Sequence, residues 1–379
     1  MRRFISVLLA IVLCLGLSAC SKTPEPEETT AATTAPTTEP TTAPTTEPPT
    51  EPTEPPVLYR NPLNGEPIDA PWTGRATTYV INNLKQCLPQ HGVGDADFIY
   101  ELETEGGITR MLAVFSNDTD VPKIGPVRSA RSFFNNITES YGGTIVHCGG
   151  SLFGREGWYD DTGAKIPNWT HIDARFYSTT KLYAGQTGEG YSFFRDMDRY
   201  NSGYNWEHCL FTSGNRMDKL LEDKGITTTI AEGVDYGLQF ADKVNLKGDD
   251  AKEVVVTFRA NKTTTMTYNA ETGLYEAAQY GEDYIDGNSG ETLTFRNVFV
   301  LYTDHWFKND PNYTRSMYDL IGSGEGHFAC DGKIVPIKWV RENLSDPFSY
   351  TLEDGTPITL GVGKSYVCIN KIGKTVSYS

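Results

Sequence analysis

The fold of the main body is decided by residues 97–115, which read DFIYELETEGGITRMLAVF. Runs rich in β-branched and aromatic residues lie on both sides of Gly106-Gly107, and a glycine pair in this position is typical of a two-residue hairpin turn. The stretch therefore predicts two antiparallel strands. Because strand side chains alternate between faces, the predicted register places Glu103 opposite Arg110.

After this hairpin, the spacing of the apolar residues changes from that of a strand to that of a helix. Apolar side chains recur at helical intervals over residues 128–141, with Ser129 as the predicted N-cap and Gly142-Gly143 as the stop signal. A buried strand is predicted over residues 144–148 and a second helix over residues 213–224. The first part of the body therefore combines strands and helices.

Strand signals dominate the chain from about residue 250 onward. Residues 253–258 and 293–303 are β-branched and aromatic runs, and Asp331-Gly332 between two further runs is a strong hairpin signal. The sequence thus predicts an α+β fold class. An N-terminal α/β-type mixed domain is expected over residues 57–235, followed by a mainly β C-terminal domain over residues 236–379.

The N-terminus carries the signals of export. Arg2 and Arg3 precede an apolar run, residues 4–19, which is too short to span a bilayer comfortably and is typical of a secretion signal. The run leads into LSAC at residues 17–20, which resembles the bacterial lipoprotein box, where cleavage precedes the Cys and its thiol is acylated. Residues 1–19 are therefore predicted to be a lipoprotein signal peptide and Cys20 the lipidation site. The alternative is a simple secretory signal with a chance Cys.

Residues 20–56 are predicted to form a disordered stalk behind this anchor. Residues 21–56 contain 13 Thr, 10 Pro and 7 Glu and no large apolar side chain, so they have nothing to bury in a core. Acyl chains on Cys20 would hold the body at the bilayer, which predicts a lipid-anchored protein on the extracytoplasmic face of the cell membrane. The formal charge of −16 argues against nucleic acid as a partner.

The cysteines form neither a disulfide pattern nor a zinc pattern. Five remain once the signal peptide and the lipidated Cys are set aside: Cys87, Cys148, Cys209, Cys330 and Cys368. An odd number at wide spacing is not a disulfide framework, and no Cys/His spacing fits a zinc site. The sequence therefore predicts no metal site. It also contains no complete nucleotide-binding motif, so it predicts no cofactor.

The body resembles the YerB-like family of bacterial lipoproteins, whose two domains are of unknown function. The resemblance is carried by NPLNG at residues 61–65, the hairpin stretch at 97–110, IGPVRSAR at 124–131, HCGGS at 147–151 and IKW at 337–339. Near the end of the first domain the family often has Pro-His-Asn, of which the stretch 206–209 (WEHC) keeps only His208. The resemblance implies an extracytoplasmic, lipid-anchored protein and no established reaction.

Two arginines at the predicted helix start are the leading candidates for a ligand site. Arg128 and Arg131 would combine two guanidinium groups with helix N–H groups, which is the chemistry of an anion site. The alternative is that both arginines pair with glutamates of the preceding hairpin. The predicted ligand-binding set comprises Arg110, Arg128, Ser129, Arg131, Glu101, Glu105, His147, Ser151 and His208.

Two patterns leave an enzyme open as an alternative. Glu101, Glu103 and Glu105 are predicted on one strand face, where two carboxylates would suit the acid and base of glycoside hydrolysis; the alternative is a solvated face with a Glu103–Arg110 ion pair. Ser151 follows a strand end and two glycines. Together with Asp173 and one of His147, His171 and His208 it would suit a catalytic triad, although the GxSxG turn is absent.

The sequence favours a non-enzymatic binding or scaffolding lipoprotein of the cell envelope. Its stalk would present the body away from the membrane, and its partner would be an anionic envelope ligand or an envelope protein. An envelope hydrolase or transferase using Ser151 or a glutamate of the 101–105 strand is the first alternative. A protein–protein adaptor using the β-rich C-terminal domain is the second.

Overall fold

The computed structural model describes residues 59–150, 170–174, 192–230, 235–309 and 314–379. The predicted signal peptide, Cys20, the predicted stalk and Ser151 lie outside the described residues. None of the helices in the described ranges has both the length and the apolar character needed to pass through a bilayer.

Strands and a few helices alternate in the first half of the body. The helices are α1 (Ser132–Ser140), α2 (Met197–Asn201) and α3 (Gly214–Asp223). The strands are β1 (Tyr59–Arg60), β2 (Pro67–Ile68), β3 (Thr77–Asn82), β4 (Phe98–Glu103), β5 (Thr109–Phe115), β6 (Thr144–His147), β7 (Thr170–Asp173), β8 (Phe194–Arg195) and β9 (Leu210–Phe211).

The described part of the second half is built from strands. They are β10 (Gln239–Ala241), β11 (Asp249–Asp250), β12 (Glu253–Arg259), β13 (Lys262–Asn269), β14 (Leu274–Gln279), β15 (Glu282–Asp283), β16 (Thr294–Phe295), β17 (Asn297–Thr303), β18 (His305–Asn309), β19 (Thr314–Tyr318), β20 (Gly322–Cys330), β21 (Lys333–Arg341), β22 (Ser349–Thr351), β23 (Thr359–Gly361), β24 (Ser365–Lys371) and β25 (Val376–Tyr378).

One mixed sheet of eleven strands runs through both halves of the body. Its order is β11-β21-β20-β17-β24-β4-β5-β3-β6-β7, with β22 paired to β21. The halves meet where β24 runs parallel to β4, with Val367 opposite Tyr100. The domain division at residue 235 stays a prediction, and strands from both sides of it pair directly.

A second, antiparallel sheet lies against one face of the main sheet. It has the order β15-β14-β13-β12-β25, with β16 paired to β14. Because strand side chains alternate, Met111 of β5 belongs to the core shared with this second sheet, whereas Leu112 belongs to the core shared with α1. The main sheet is therefore covered on both faces, and a one-residue change in register moves a side chain from one core to the other.

The hairpin of β4 and β5 forms in a different register from the predicted one. Leu102 pairs with Arg110, and Glu103 pairs with Thr109, so Glu103 and Arg110 point to opposite faces. The connection is longer than two residues, because the Thr104 N–H donates to the Ile108 carbonyl at 2.7 Å. The predicted facing of Glu103 and Arg110 is wrong for this reason.

The helix predicted over residues 128–141 begins later than expected. Its first residue is Ser132, and Arg131 is the N-cap, with extended backbone angles of φ −129° and ψ 160°. Arg128 lies in an extended segment whose N–H donates to the Val80 carbonyl at 2.8 Å. Ser129 does not cap the helix, because its hydroxyl donates to the Cys148 carbonyl. The stop after the helix is confirmed, with Gly142 at φ 55°.

The α+β fold class is confirmed. The first half is a mixed sheet with few helices, and the second half is largely antiparallel. The second predicted helix is confirmed as α3, and the Asp331-Gly332 hairpin is confirmed with Cys330 opposite Lys333. The predicted strand 293–303 is divided into β16 and β17, which pair with different sheets.

Candidate functional site

Arg110 is a buried arginine on the face of the main sheet that packs against α1. It lies on β5 directly opposite Asn82 of β3, and 6% of the residue is exposed. Its Nη1 donates to the Ser129 carbonyl at 2.9 Å, and its Nε is buried without a hydrogen-bond partner. Among the described residues, no carboxylate lies within ion-pair distance of Arg110.

The electrostatic surroundings of Arg110 are unfavourable. Burial, followed by the charges of Arg131 and Arg128, lowers the pKa of Arg110 well below its ordinary value, and Glu105 and Glu207 offset this only in part. Arginine nevertheless stays protonated in proteins. A buried positive charge without a carboxylate partner is costly, and no residue in the described part of the chain supplies such a partner to Arg110.

Arg131, unlike Arg110, has a carboxylate partner in the part of the chain that the structure describes. Its Nε and Nη2 donate to Glu105 Oε1 and Oε2 at 2.8 and 2.6 Å, which is a bidentate ion pair. Burial raises the pKa of Glu105, but the hydrogen bonds and charge of Arg131 outweigh it and leave that pKa lowered. Glu105 Oε1 also accepts from the Ser316 N–H at 3.0 Å, which attaches β19 to this pair.

Arg128 is held less firmly. Its Nη1 lies 3.2 Å from Glu207 Oε2, and 51% of the Glu207 side chain is exposed. The Nε of Arg128 is buried and, in the described part of the chain, has no hydrogen-bond partner. Of the two arginines at the predicted helix start, only Arg131 is engaged by the preceding hairpin.

His208 brings a third kind of donor to the same region. It is fully buried, and its Nδ1 lies 2.8 Å from Asn82 Nδ2. Asn82 Oδ1 accepts from the Leu84 N–H, which orients the Asn82 amide so that Nδ2 donates. This network assigns the proton of neutral His208 to Nε2, a buried atom without a hydrogen-bond partner.

The protonation state of His208 follows from its surroundings. Burial lowers its pKa, and the charges of Arg128 and Arg199 lower it further, while Glu207 acts in the opposite direction. His208 is therefore neutral at neutral pH. It offers one N–H donor and adds no charge to the site.

We call Arg110, Arg128, Arg131 and His208 the arginine cluster. Its members are connected: Arg110 and Arg131 both donate to the Ser129 carbonyl, at 2.9 and 3.5 Å, and Asn82 lies next to both Arg110 and His208. Three guanidinium groups face two carboxylates, which leaves a formal charge of +1. Three buried donors, Arg110 Nε, Arg128 Nε and His208 Nε2, have no acceptor among the described residues.

Glu101 lies on the opposite face of the sheet from the arginine cluster. It is fully buried, and its carboxylate accepts from five side chains: Lys262 at 2.8 Å, Asn83 at 2.9 Å, and Thr109, Thr264 and Tyr366 each at 2.6 Å. Burial raises the pKa of Glu101, but the charge of Lys262 and the hydrogen bonds leave it lowered. The structure therefore places Glu101 in a fully satisfied ion pair, on the face of the sheet opposite Arg110.

The glutamates of the hairpin do not lie on a solvated face. Glu101 and Glu103 do share a face, but both are buried, and each contacts its own cation from the second sheet. Glu103 Oε1 accepts from Arg259 Nε at 2.7 Å instead of pairing with Arg110. Glu105 lies beyond the strand end and faces Arg131.

Of the residues considered for a triad, His147 ends β6 and Asp173 ends β7. His147 Nδ1 lies 2.8 Å from the Gly149 carbonyl, and the Gly149 N–H donates to Asp173 Oδ1 at 3.0 Å. The rings of His147 and His171 are stacked with centroids 5.7 Å apart. Ser151 lies outside the described residues, so the triad geometry is not described.

Sequence reasoning missed several residues around the arginine cluster and around Glu101. Asn82 and Glu207 contact the arginine cluster. Asn82 lies opposite Arg110 on the neighbouring strand, and Glu207 directly precedes His208 in the chain. Lys262 and Thr264 contact Glu101 from a distant strand, and no local signal relates them to the hairpin. Within the described ranges, no group of three or more His, Cys, Asp or Glu side chains is placed to hold a metal ion.

Comparison with known protein families identifies the family to which this chain belongs. One family model, the N-terminal domain of a protein of unknown function (DUF3048), matches residues 63–227, and the C-terminal domain of the same family matches residues 254–367. This chain belongs to the DUF3048 family. The two matches lie on either side of the predicted domain division and together span most of the chain.

A relative and a solved structure from Bacillus subtilis resemble this chain. The protein of strain 168 named "Putative lipoprotein YerB" is 25% identical over 323 residues, which cover 81% of this chain and 88% of that protein. The crystal structure of YerB protein from Bacillus subtilis aligns with a TM-score of 0.67 at 22% identity, covering 84% of this chain and 99% of that chain. The likeness in structure shows a shared fold, and the resemblance to the YerB-like family is confirmed.

Proposed function

We propose that this protein is a lipid-anchored, extracytoplasmic lipoprotein that binds an anionic ligand at the arginine cluster. It would act as a binding or scaffolding protein of the cell envelope. The anchor is supported by the LSAC stretch at residues 17–20 and by the name of the Bacillus subtilis relative. The partner would be a carboxylate- or phosphate-bearing envelope component.

The observation that carries the proposal is the buried Arg110, which has no ion-pair partner among the described residues. A buried charge normally has a partner, because leaving it unpaired costs several kcal/mol, roughly 3–5 where a buried pair is broken. Two further orphaned donors belong to the same cluster, on Arg128 and His208. An anion bound there would accept from all three groups and would neutralise the formal charge of +1.

The test replaces Arg110 by Met, which keeps the length and apolar stem of the side chain but removes its charge. The full chain in detergent is titrated calorimetrically with inorganic phosphate, acetate and glycerol 3-phosphate. We expect the wild type to bind at least one of these anions and Arg110→Met to bind it more than about tenfold more weakly, a difference of about 1.4 kcal/mol or more. The stability of the ligand-free variant is expected to be unchanged or higher.

Lys219→Met is the matched control, because it removes the same charge from an exposed position on α3. It should bind the anions as the wild type does. Equal binding by wild type and Arg110→Met would contradict the proposal, as would the absence of binding to all three anions.

A further inference from the structure

Glu207 differs from the other carboxylate of the arginine cluster in how it is held. Its Oε2 lies 3.2 Å from Arg128 Nη1 and its Oε1 lies 3.8 Å from His208 Nε2. Neither contact has hydrogen-bond geometry, and 51% of the Glu207 side chain is exposed. Glu105, by contrast, is 21% exposed and receives hydrogen bonds from both Arg131 and Ser316.

The backbone around Glu207 is fixed, although its side chain is not. The short helical turn Trp206–His208 is held on one side by Arg195, whose Nη1 donates to the Trp206 carbonyl at 2.7 Å. On the other side, His208 is bonded to Asn82. Rotation about the side-chain bonds of Glu207 would therefore move its carboxylate into solvent without disturbing the cluster.

We propose that Glu207 is an internal counter-ion that a ligand displaces, and that this ligand carries a terminal phosphate group. The inference rests on the proposed function. With Glu207 turned outward, the cluster has three guanidinium groups and one carboxylate, so its formal charge is +2. A phosphomonoester at neutral pH carries a charge of about −1.5 to −2 and three acceptor oxygens.

The number of donors matches the number of oxygens. Within the arginine cluster, three buried donors have no acceptor among the described residues: Arg110 Nε, Arg128 Nε and His208 Nε2. Charge-assisted hydrogen bonds from guanidinium groups to phosphate are among the strongest in proteins. A carboxylate ligand has one oxygen fewer and would do little more than Glu207 does already.

The test compares Glu207→Gln with the wild type, using the full chain in detergent and glycerol 3-phosphate as the probe. Because the glutamine keeps the shape but cannot act as a counter-ion, we expect its affinity for glycerol 3-phosphate to be about tenfold higher. In the wild type, glycerol 3-phosphate should bind more tightly than acetate. Glu222→Gln, at an exposed glutamate of α3, is the matched control and should bind as the wild type does.

A second probe separates the two sources of such a phosphate group. Short-chain phosphatidic acid carries the same phosphate group on a lipid. Equal affinity for both probes would show that the site recognises the phosphate group alone. Tighter binding of phosphatidic acid would show that the site recognises a lipid head group. Unchanged or weaker binding by Glu207→Gln, or acetate bound as tightly as glycerol 3-phosphate, would overturn the inference. If that binding still depended on Arg110, the proposed function would stand; without dependence on Arg110, both would fail.

Discussion

The two faces of one strand pair hold two buried charges in opposite conditions. Glu101 of β4 faces the second sheet, and its carboxylate accepts from five side chains, including Lys262. Arg110 of β5 faces α1, and its guanidinium group has one acceptor within the described ranges, the Ser129 carbonyl. Both residues are at least nine-tenths buried, so burial does not explain the difference.

The difference separates a buried charge whose partners the fold supplies from one that has few partners in the described part of the chain. A buried ion whose hydrogen bonds are complete stabilises the arrangement that completes them, here the packing of β13 on the main sheet. A buried ion with few partners raises the free energy of the ligand-free protein and gains most from an added counter-ion. Glu101 therefore belongs to the fold, and Arg110 is the residue on which the proposed binding depends.

The largest effect on stability is expected from the loss of Lys262, the cation paired with Glu101. Lys262→Met leaves Glu101 charged and buried without a cation, and we expect it to lower the free energy of unfolding by about 3–5 kcal/mol. Urea denaturation measures this change. The double variant Glu101→Gln/Lys262→Met should recover part of the loss, because no buried charge remains. A Lys262→Met variant as stable as the wild type would contradict the structural role.

The sequence predicted the elements better than it predicted the register. The hairpin of β4 and β5 was found from its composition, but Gly106-Gly107 suggested a two-residue turn where the connection is longer. That error of one position placed Arg110 opposite Glu103, on the wrong face. Turn length decides which core each side chain enters, and composition alone does not fix it.

The predicted site was found in part for reasons that the structure changes. Arg128 and Arg131 were chosen as residues of a helix start, yet α1 begins at Ser132. The preceding segment is extended because it bonds to β3, a pairing that helical spacing cannot reveal. Arg110, which carries the proposal, entered the prediction only through its place on the hairpin. Its missing counter-ion depends on the packing of distant segments.

A smaller effect on stability is expected in the arginine cluster, at Arg131, which forms a bidentate ion pair with Glu105. Arg131→Ala removes the bidentate contact to Glu105, and of the donors that the structure describes the Ser316 N–H remains. Because hydrogen bonds to charged groups contribute about 1.5–3 kcal/mol, we expect a loss of about 2–3 kcal/mol in the free energy of unfolding. Thermal and urea denaturation both measure it. A neutral result would show that Arg131 is free to serve a ligand.

Acid titration of Glu101 sharpens the comparison further, with a smaller expected effect on stability than the loss of Lys262. The pKa of Glu101 is lower in the folded protein than its ordinary value of 4.5, so the unfolded chain takes up the proton first as the pH falls. The stability that Glu101 contributes is therefore present above pH 4.5 and is lost as the pH falls toward its folded pKa. The difference in stability between wild type and Glu101→Gln should shrink over this range. Glu222→Gln should show no such change, and a pH-independent difference for Glu101→Gln would contradict the assignment.

The smallest effect on stability is expected at Arg128, three residues before Arg131 in the same motif. Its partner Glu207 is half exposed, and exposed ion pairs contribute about 0–1 kcal/mol, so Arg128→Ala should change the free energy of unfolding by about 0.5 kcal/mol or less. The same variant removes one of the three orphaned donors, so its affinity for glycerol 3-phosphate should fall by about tenfold. Denaturation and calorimetry on one preparation measure both quantities. If Arg128→Ala were as destabilising as Arg131→Ala and left anion binding unchanged, Arg128 would be part of the fold, and the arginine cluster would be a structural network like the one around Glu101.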